Sequence, residues 1–410
     1  MSNFTDLLII GGGAAGLISA ITAKREKPCL SVTVIEGLDR VGKKLITTGN
    51  GRCNISNTDE SLSRFHGENT EFAAFSLERF GKDYLKKFFS SIGIEFTEEN
   101  GKLYPSSLQA SSVVDCLRFE CERLGVNVTC NAKVTKIKKT KDFTVLGDNF
   151  EFHSKALIVA TGLFSGGDKL GSDGSVFRIM KELGHKAIPC SPAIVQVKTE
   201  TDFVRQLKGI KVDANARLYK KNTFIREDFG EVLFCDYGLS GPAIMQISRD
   251  AFRSEGEYYI CLDLFPKNSK EELLELLKNR ASALSHRSLE DFFTGLLNKR
   301  LGQVVLKRCD FKLSQMTYEL NNKDLEKIAD TLKSFKFKIL GHTGFNNSQV
   351  TAGGLSTLEF DNKTMMSKRI AGLFAAGELL DIDGDCGGFN LKWAWCSGIL
   401  AAKSAVEYIR

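Results

Sequence analysis

The residues "LLIIGGGAAGLISAITAKREK" (7–27) constrain the fold more than any other part of this 410-residue chain. An apolar run stops at three consecutive glycines and gives way to a helical stretch, which predicts strand, tight turn and helix in succession. In that context Gly11 permits the turn, Gly13 lets a pyrophosphate approach the backbone, and Gly16 lets helix and strand pack closely. Ala14 and Ala15 open the helix, whose unpaired N–H groups and dipole favour an anion. A second strand, "SVTVIE" (31–36), ends in Glu36, twenty residues beyond Gly16. A carboxylate there can accept both ribose hydroxyls of an adenosine and repels a 2′-phosphate. The pattern suits FAD or NAD better than NADP.

The stretch "GKKLITTGNGRCNISN" (42–57) follows directly and has almost no hydrophobic periodicity. Its position after the acidic strand brings it close to the ribose and pyrophosphate. Its glycines allow backbone N–H groups to converge on an anion. Lys43, Lys44 and Arg52 can neutralise phosphate charge or brace the electron-rich pyrimidine edge of a flavin. A nicotinamide site needs no loop of this length here, whereas a flavin does.

The far end of the chain supplies the other half of such a site. In "KRIAGLFAAGELLDIDGDCGGFNLKWAWCSGILAAKSAVEYIR" (368–410), a buried strand leads to a turn carrying Glu378 and Asp381. The tight turn "DGDCGGFN" then opens a terminal helix. In flavoproteins with two dinucleotide folds, such an element points a positive dipole at the flavin N1–C2=O region and favours the anionic reduced form. Trp393 and Trp395 read as core residues. Between the two ends, "KALIVATG" (155–162) reads as a further sheet strand ending in a glycine turn. The glycine-rich run 162–175 after it reads equally well as a loop near the flavin or as a surface turn.

Composition excludes several classes. Hydrophobic content of 42% and charged content of 26% are those of a soluble globular protein. The apolar run Leu7 to Ile21 is too short to span a bilayer, and no basic leader or cleavage site marks it as a signal, so a cytoplasmic protein is expected. The eleven cysteines form no CxxC pair and the five histidines are isolated, which argues for free thiols and against a metal site. The net charge of +6 gathers in two stripes, Lys198 to Arg226 with eight basic residues against three acidic, and Lys299 to Lys338 with ten against five. Such stripes attract a polyanion or form a solvated face.

Seven motifs in fixed order resemble the BaiN/RdsA family of FAD- and NAD(P)-dependent oxidoreductases. They are "IIGGGAAGL" (9–17), the loop 42–57, "LYPSSLQASSVVDCL" (103–117), "IVATGLFSGGDKLGSDGSVF" (158–177), "GHKAIPCSPAIVQVK" (184–198), "EVLFCDYGLSGPAIMQISR" (231–249) and residues 351–398. The family usually has a glycine where this chain has Leu163 and a threonine where it has Cys386. The resemblance implies an α/β fold with a discontinuous Rossmann-type FAD-binding domain, residues 1–189 and 346–410. A β-rich, barrel-like domain (190–267) and a helical subdomain with a return segment (268–345) interrupt it. Strand-like alternation in "AIVQVK" and "EYYICLDL" agrees, as does helical periodicity in "SKEELLELLKNRASAL" and "NNKDLEKIADTLKSF", each opening on a capping-type Ser or Asn.

The expected cofactor contacts are Gly11, Gly13, Ala14, Ala15, Gly16 and Glu36 in the first turn, and Lys43, Lys44, Thr48, Gly49, Asn50, Gly51, Arg52 and Asn54 in the loop. Val134, Thr161 and Gly162 are expected from the middle of the domain. Gly377, Glu378, Asp381, Gly387, Gly388, Asn390 and Leu391 come from the terminal segment. Members of the family are associated with reducing carbon–carbon double bonds conjugated to a carbonyl, with NADH or NADPH as donor. The implied substrates are a uracil of large-subunit rRNA or a small enone such as a 3-oxo-4-ene bile-acid intermediate. That chemistry needs donors on the developing enolate oxygen and an acid at the α-carbon. Cys53, beside Arg52 in a cationic loop expected to depress its pKa, is the first candidate acid. Cys386 is the second and Tyr237 the third. A flavin-bearing RNA-binding protein without turnover is the non-enzymatic alternative. No second strand–GxGxxG element marks a nicotinamide site, and the oligomeric state stays open, a monomer included.

Overall fold

A computed structural model describes residues 3–410. The chain forms two compact units, one from residues 1–192 with 345–410 and one from residues 193–344.

In the first unit the strand Asn3–Ile10 lies in the middle of a sheet that has seven strands among the described residues. It pairs in parallel with Val32–Ile35 on one side and Phe150–Val159 on the other, placing Ile9 opposite both Val34 and Ile158. Leu7, Leu8 and Ile9 are fully buried. Such continuous apolar runs are what a parallel sheet covered on both faces requires. Asn127–Thr129 extends the sheet beyond Val32–Ile35. Leu373–Ala375, from the far end of the chain, joins it in parallel beside Phe150–Val159, with Phe374 opposite Ile158. One sheet therefore holds both ends of the chain.

The helix Ala14–Glu26 and the terminal helix Phe389–Tyr408 pack together, with no room for a side chain at Gly398. A Cβ on Gly398 would lie 2.7 Å from the Ala15 carbonyl oxygen. Ser19 Oγ donates to the Gly398 carbonyl at 2.8 Å. Trp393 and Trp395 are buried in this core, as their sequence setting suggests.

The second unit is a closed barrel. Its strands are Val197–Thr199, Lys211–Lys220, Thr223–Phe234, Gly238–Ser240, Tyr258–Asp263 and Phe335–His342. The helices Lys270–Ala283, Lys299–Arg308 and Asn322–Lys333 fall between the last two of these, which are neighbours in the barrel. The residues expected as a separate helical subdomain thus share one core with the barrel, because Phe335 and Phe337 close it after the helices. Ser269 and Asn321 each form a capping box, with Glu272 and Asp324. Each such cap stabilises its helix by about 1 kcal/mol.

Candidate functional site

The glycine turn after the first strand has the geometry of an anion cradle. Gly11 has φ +105°, and a Cβ there would meet the Ala160 carbonyl oxygen at 2.5 Å. A Cβ on Gly16 would sit 1.8 Å from the Gly11 oxygen, so no other residue fits without moving the turn. Gly13 differs: no atom lies within 4 Å of its would-be Cβ. That space opens over the N-terminus of the helix that Gly13 caps. Ala14 and Ala15 form the first turn, Ala15 buried and Ala14 half-buried.

Glu36 reaches back to this turn. Its Oε2 accepts from Gly12 N at 2.8 Å and its Oε1 from Leu38 N at 2.9 Å. A carboxylate oxygen has a second lone pair for a further donor. Ala132 N donates to the Glu36 carbonyl at 2.8 Å, drawing the chain towards the buried Val134. The glycine-rich run also comes here: a Cβ on Gly171 would lie 3.7 Å from Glu36 Oε1. This places the run beside the acidic end of the second strand. Thr161 and Gly162 follow strand Phe150–Val159, and Gly162 takes φ +64° with open space at its Cβ position.

The loop 42–57 owes its glycines and asparagines to its backbone. Gly49, Asn50 and Gly51 have φ of +57°, +55° and +83°, and Cys53 has +58°. L-residues enter this region at a cost, least for Gly and Asn. The Thr48 side chain donates back to Leu45 O at 2.6 Å. Each of the three cations has a carboxylate partner from the chain. Lys43 pairs with Asp39, Lys44 Nζ with Glu378 Oε2 at 2.6 Å, and Arg52 Nη1 with Glu99 Oε2 at 3.0 Å. Arg52 also lies over the Tyr104 ring, 4.3 Å from its centroid.

The loop is joined to the terminal segment at several points. A Cβ on Gly388 would be 2.6 Å from Asn54 Oδ1 and 2.5 Å from the Ser56 carbonyl oxygen. Asn57 Nδ2 donates to Gly387 O at 2.8 Å, and Trp395 Nε1 to Ile55 O at 3.0 Å. Trp393 Nε1 donates to Gly377 O at 3.0 Å, and a Cβ on Gly377 would lie 3.2 Å from the Ala15 Cβ. Asn390 ties its own turn, accepting from Gly384 N and donating to Gly384 O, both at 2.8 Å. Leu391 stands half-buried in the next position. Asp381 is buried, with Oδ2 accepting from Glu68 N at 2.8 Å.

Cys53 differs from expectation. Its side chain is fully buried, and burial pushes the thiol up to about 12 despite a hydrogen bond with Thr48. The cationic neighbours in sequence do not reach it: Arg52 turns to Glu99 and Tyr104, and Cys53 packs into the core. A depressed, reactive thiol is thereby replaced by a neutral one. Tyr237 belongs to the second unit, and burial, then Cys235, raises its phenol well above the usual range. Cys386 is half-buried in the turn before the terminal helix, outside any disulfide.

His66 stands in no motif of the sequence. The two-residue strand Phe65–His66 pairs with Asp383–Gly384, and His66 Nε2 lies 2.7 Å from Asp385 Oδ1. The partners are 319 residues apart, and "RFHGE" carries no spacing signal that could have paired them.

The residues fit FAD. A helix N-terminus with open space, a carboxylate at the end of the second strand and a loop rich in left-handed backbone stand together. Two buried oxygens here, Asn54 Oδ1 and Ser56 Oγ, have no hydrogen-bond partner among the described residues. Buried polar atoms are rarely left so, and these two lie where the donors of a bound cofactor would reach the early loop.

A family model described as the HI0933-like protein Rossmann domain matches residues 5–404. The chain belongs to this family. Its members include the reductases that the motif resemblance implies. The chain is 34% identical to a 3-dehydro-bile acid delta(4,6)-reductase of Clostridium scindens, over 97% of this chain and 98% of that one. It is 28% identical to a ribosomal RNA dihydrouridine synthase of Haemophilus influenzae, over 98% and 99%. Among solved structures, the 3-ketosteroid delta1-dehydrogenase of Sterolibacterium denitrificans superposes with a TM-score of 0.54 at 12% identity, over 99% of this chain and 100% of that one, a likeness of fold. The family is one of flavoprotein oxidoreductases, and this chain is an oxidoreductase of that type. Among the described residues no helix is long and apolar enough to cross a membrane, and no cluster of three or more metal-ligating side chains occurs.

Proposed function

We propose that the protein holds FAD between its two chain ends and uses NADH or NADPH to reduce a carbon–carbon double bond conjugated to a carbonyl. The observation that carries this reading is the joint site: Asn54, Ser56 and Asn57 of the early loop lie against Gly387 and Gly388 of the terminal turn. When bound, FAD supplies the hydride that such a reduction needs. The protein's own groups do the rest. Gly13 and the helix behind it receive the pyrophosphate, and Glu36 accepts from the ribose. The positive end of the terminal helix would stabilise the negative charge that grows on the flavin on reduction.

The favoured substrate is a uridine of large-subunit rRNA, converted to dihydrouridine in the cytoplasm. Relatives that span nearly the whole chain carry that activity in their names. On the barrel unit, Phe224 and Phe229 are half or more exposed, and Lys336 Nζ lies 3.9 Å from the Tyr259 ring centroid. Among the described residues Lys220, Lys221 and Lys336 have no carboxylate partner. Cations interleaved with aromatic rings suit a phosphate backbone with unstacked bases. Much of the charge in the two basic stripes is taken up by pairs such as Lys211–Glu231 and Lys299–Asp291, so the unpaired lysines matter more than the total.

A second reading, reduction of a small 3-oxo-4-ene steroid, is favoured by the 34% identity to the bile-acid reductase. One experiment separates them. FAD-loaded protein with NADH or NADPH is given large-subunit rRNA from cells lacking the gene, and separately a 3-oxo-4-ene steroid. The rRNA reading expects dihydrouridine to appear, with binding that weakens steeply as salt rises. Turnover of the steroid alone would leave the second reading.

A further inference from the structure

We infer that His66 is the acid that protonates the α-carbon in this reduction, with Asp385 as its positioning residue. The inference rests on the ene-reductase reading above. Asp385 is almost fully buried, its side chain 4% exposed, and it sits immediately before Cys386, Gly387 and Gly388. Its Oδ1 lies 2.7 Å from His66 Nε2, and its backbone N donates to Arg64 O at 2.9 Å. Arg64 reaches the other carboxylate oxygen at 3.4 Å while its Nε holds Asp59 at 2.7 Å. The strand pairing of Phe65–His66 with Asp383–Gly384 fixes both partners through the backbone as well.

A carboxylate on Nε2–H fixes the tautomer and the ring plane and leaves Nδ1 as the working nitrogen. His66 Nδ1 makes no hydrogen bond among the described residues, and the side chain is 21% exposed, so it can be reloaded from solvent. Two of the three sequence candidates stand apart: Cys53 is enclosed in the core with its thiol at about 12, and Tyr237 belongs to the second unit, its phenol raised above the usual range by burial. Bound FAD, reduced by NADH or NADPH, would supply the hydride at the β-carbon and take the oxidised form. The α-carbon takes a proton from Nδ1–H of the His66 imidazolium. The π bond is lost, two C–H bonds form, and water returns the proton to the ring.

The test uses full-length protein loaded with FAD, as wild type, His66→Gln and Asp385→Asn. Two readouts are taken: oxidation of dithionite-reduced flavin by a 3-oxo-4-ene steroid or by unmodified rRNA, and the ¹⁵N signals of the His66 ring with and without FAD. His66→Gln should keep its FAD and its substrate KM but lose about 10²-fold or more in kcat. FAD should shift the His66 ring signals, and Asp385→Asn should redistribute the tautomers with a smaller loss of kcat. A His66→Gln variant with wild-type turnover overturns the inference and leaves the ene-reductase reading standing. If wild-type protein oxidises its flavin with neither acceptor, that reading fails, and ring signals that ignore FAD then overturn the placement of His66 as well.

Discussion

Asn57 Nδ2 donates to the carbonyl oxygen of Gly387 at 2.8 Å, across 330 residues of sequence. The same side chain accepts from Asp59 N through Oδ1 at 2.8 Å, so a single asparagine both shapes the early loop and ties it to the turn before the terminal helix. Replacing it by alanine leaves a buried carbonyl without its donor. Asn57→Ala is expected to lower stability by about 1–3 kcal/mol and weaken FAD binding, read by urea denaturation and flavin titration.

Gly13 and Gly16 stand in one turn but answer to different constraints. A Cβ on Gly13 meets nothing, whereas one on Gly16 meets Gly11 O at 1.8 Å. Gly13→Ala should therefore leave apoprotein stability within about 0.5 kcal/mol of wild type while weakening FAD at least tenfold, about 1.4 kcal/mol. Gly16→Ala should cost about 1–3 kcal/mol of stability before any ligand is added. Thermal melts of the apoproteins, followed by FAD titration, separate the two.

Cys53 tests burial against sequence context. With its thiol at about 12, it stays protonated and enclosed at neutral pH. In native protein, iodoacetamide should label the exposed Cys29 and leave Cys53 unmodified until denaturant is added. Cys53→Ala should keep the flavin and retain turnover within a few-fold. Peptide mapping and steady-state kinetics give the two readings.

Asp173 gives the pH dependence. Burial alone would raise its carboxyl, but Lys133 at 2.6 Å and the Ser175 hydrogen bonds outweigh it, lowering it from 3.8 to about 2. A carboxyl depressed in the folded state contributes stability above its unfolded pKa and loses it as pH falls through the folded one. Wild type should thus lose this contribution between about pH 4 and about pH 2. Asp173→Asn should be less stable at neutral pH and lack that component of acid loss, as urea midpoints across the range would record.

How far the sequence reached depends on whether the signal was local. The strand–glycine–helix at residues 7–27, the acid at Glu36 and the caps at Ser269 and Asn321 are set by neighbours within a few residues, and all were legible. The glycines of the early loop suggested converging backbone N–H groups, but the left-handed φ of Asn50 and Cys53 appears only in the structure. The fate of Cys53 did not show, because a cationic run says nothing about which side of a loop faces the core. Arg52 finds Glu99 on a separate hairpin, and His66 finds Asp385 only through a strand pair between distant segments. Closure of the barrel by Phe335–His342 was hidden for the same reason: three helices intervene before the strand returns.

The two ends of the chain together are expected to bind a single FAD. Titrating the purified apoprotein with FAD, with flavin fluorescence and absorbance read at each step, tests it most directly. Wild type should saturate at a single FAD per chain, and Gly388→Ala, whose new Cβ would press on Asn54 Oδ1 and Ser56 O, should bind markedly more weakly. A folded, colourless protein that takes up no added FAD would contradict it.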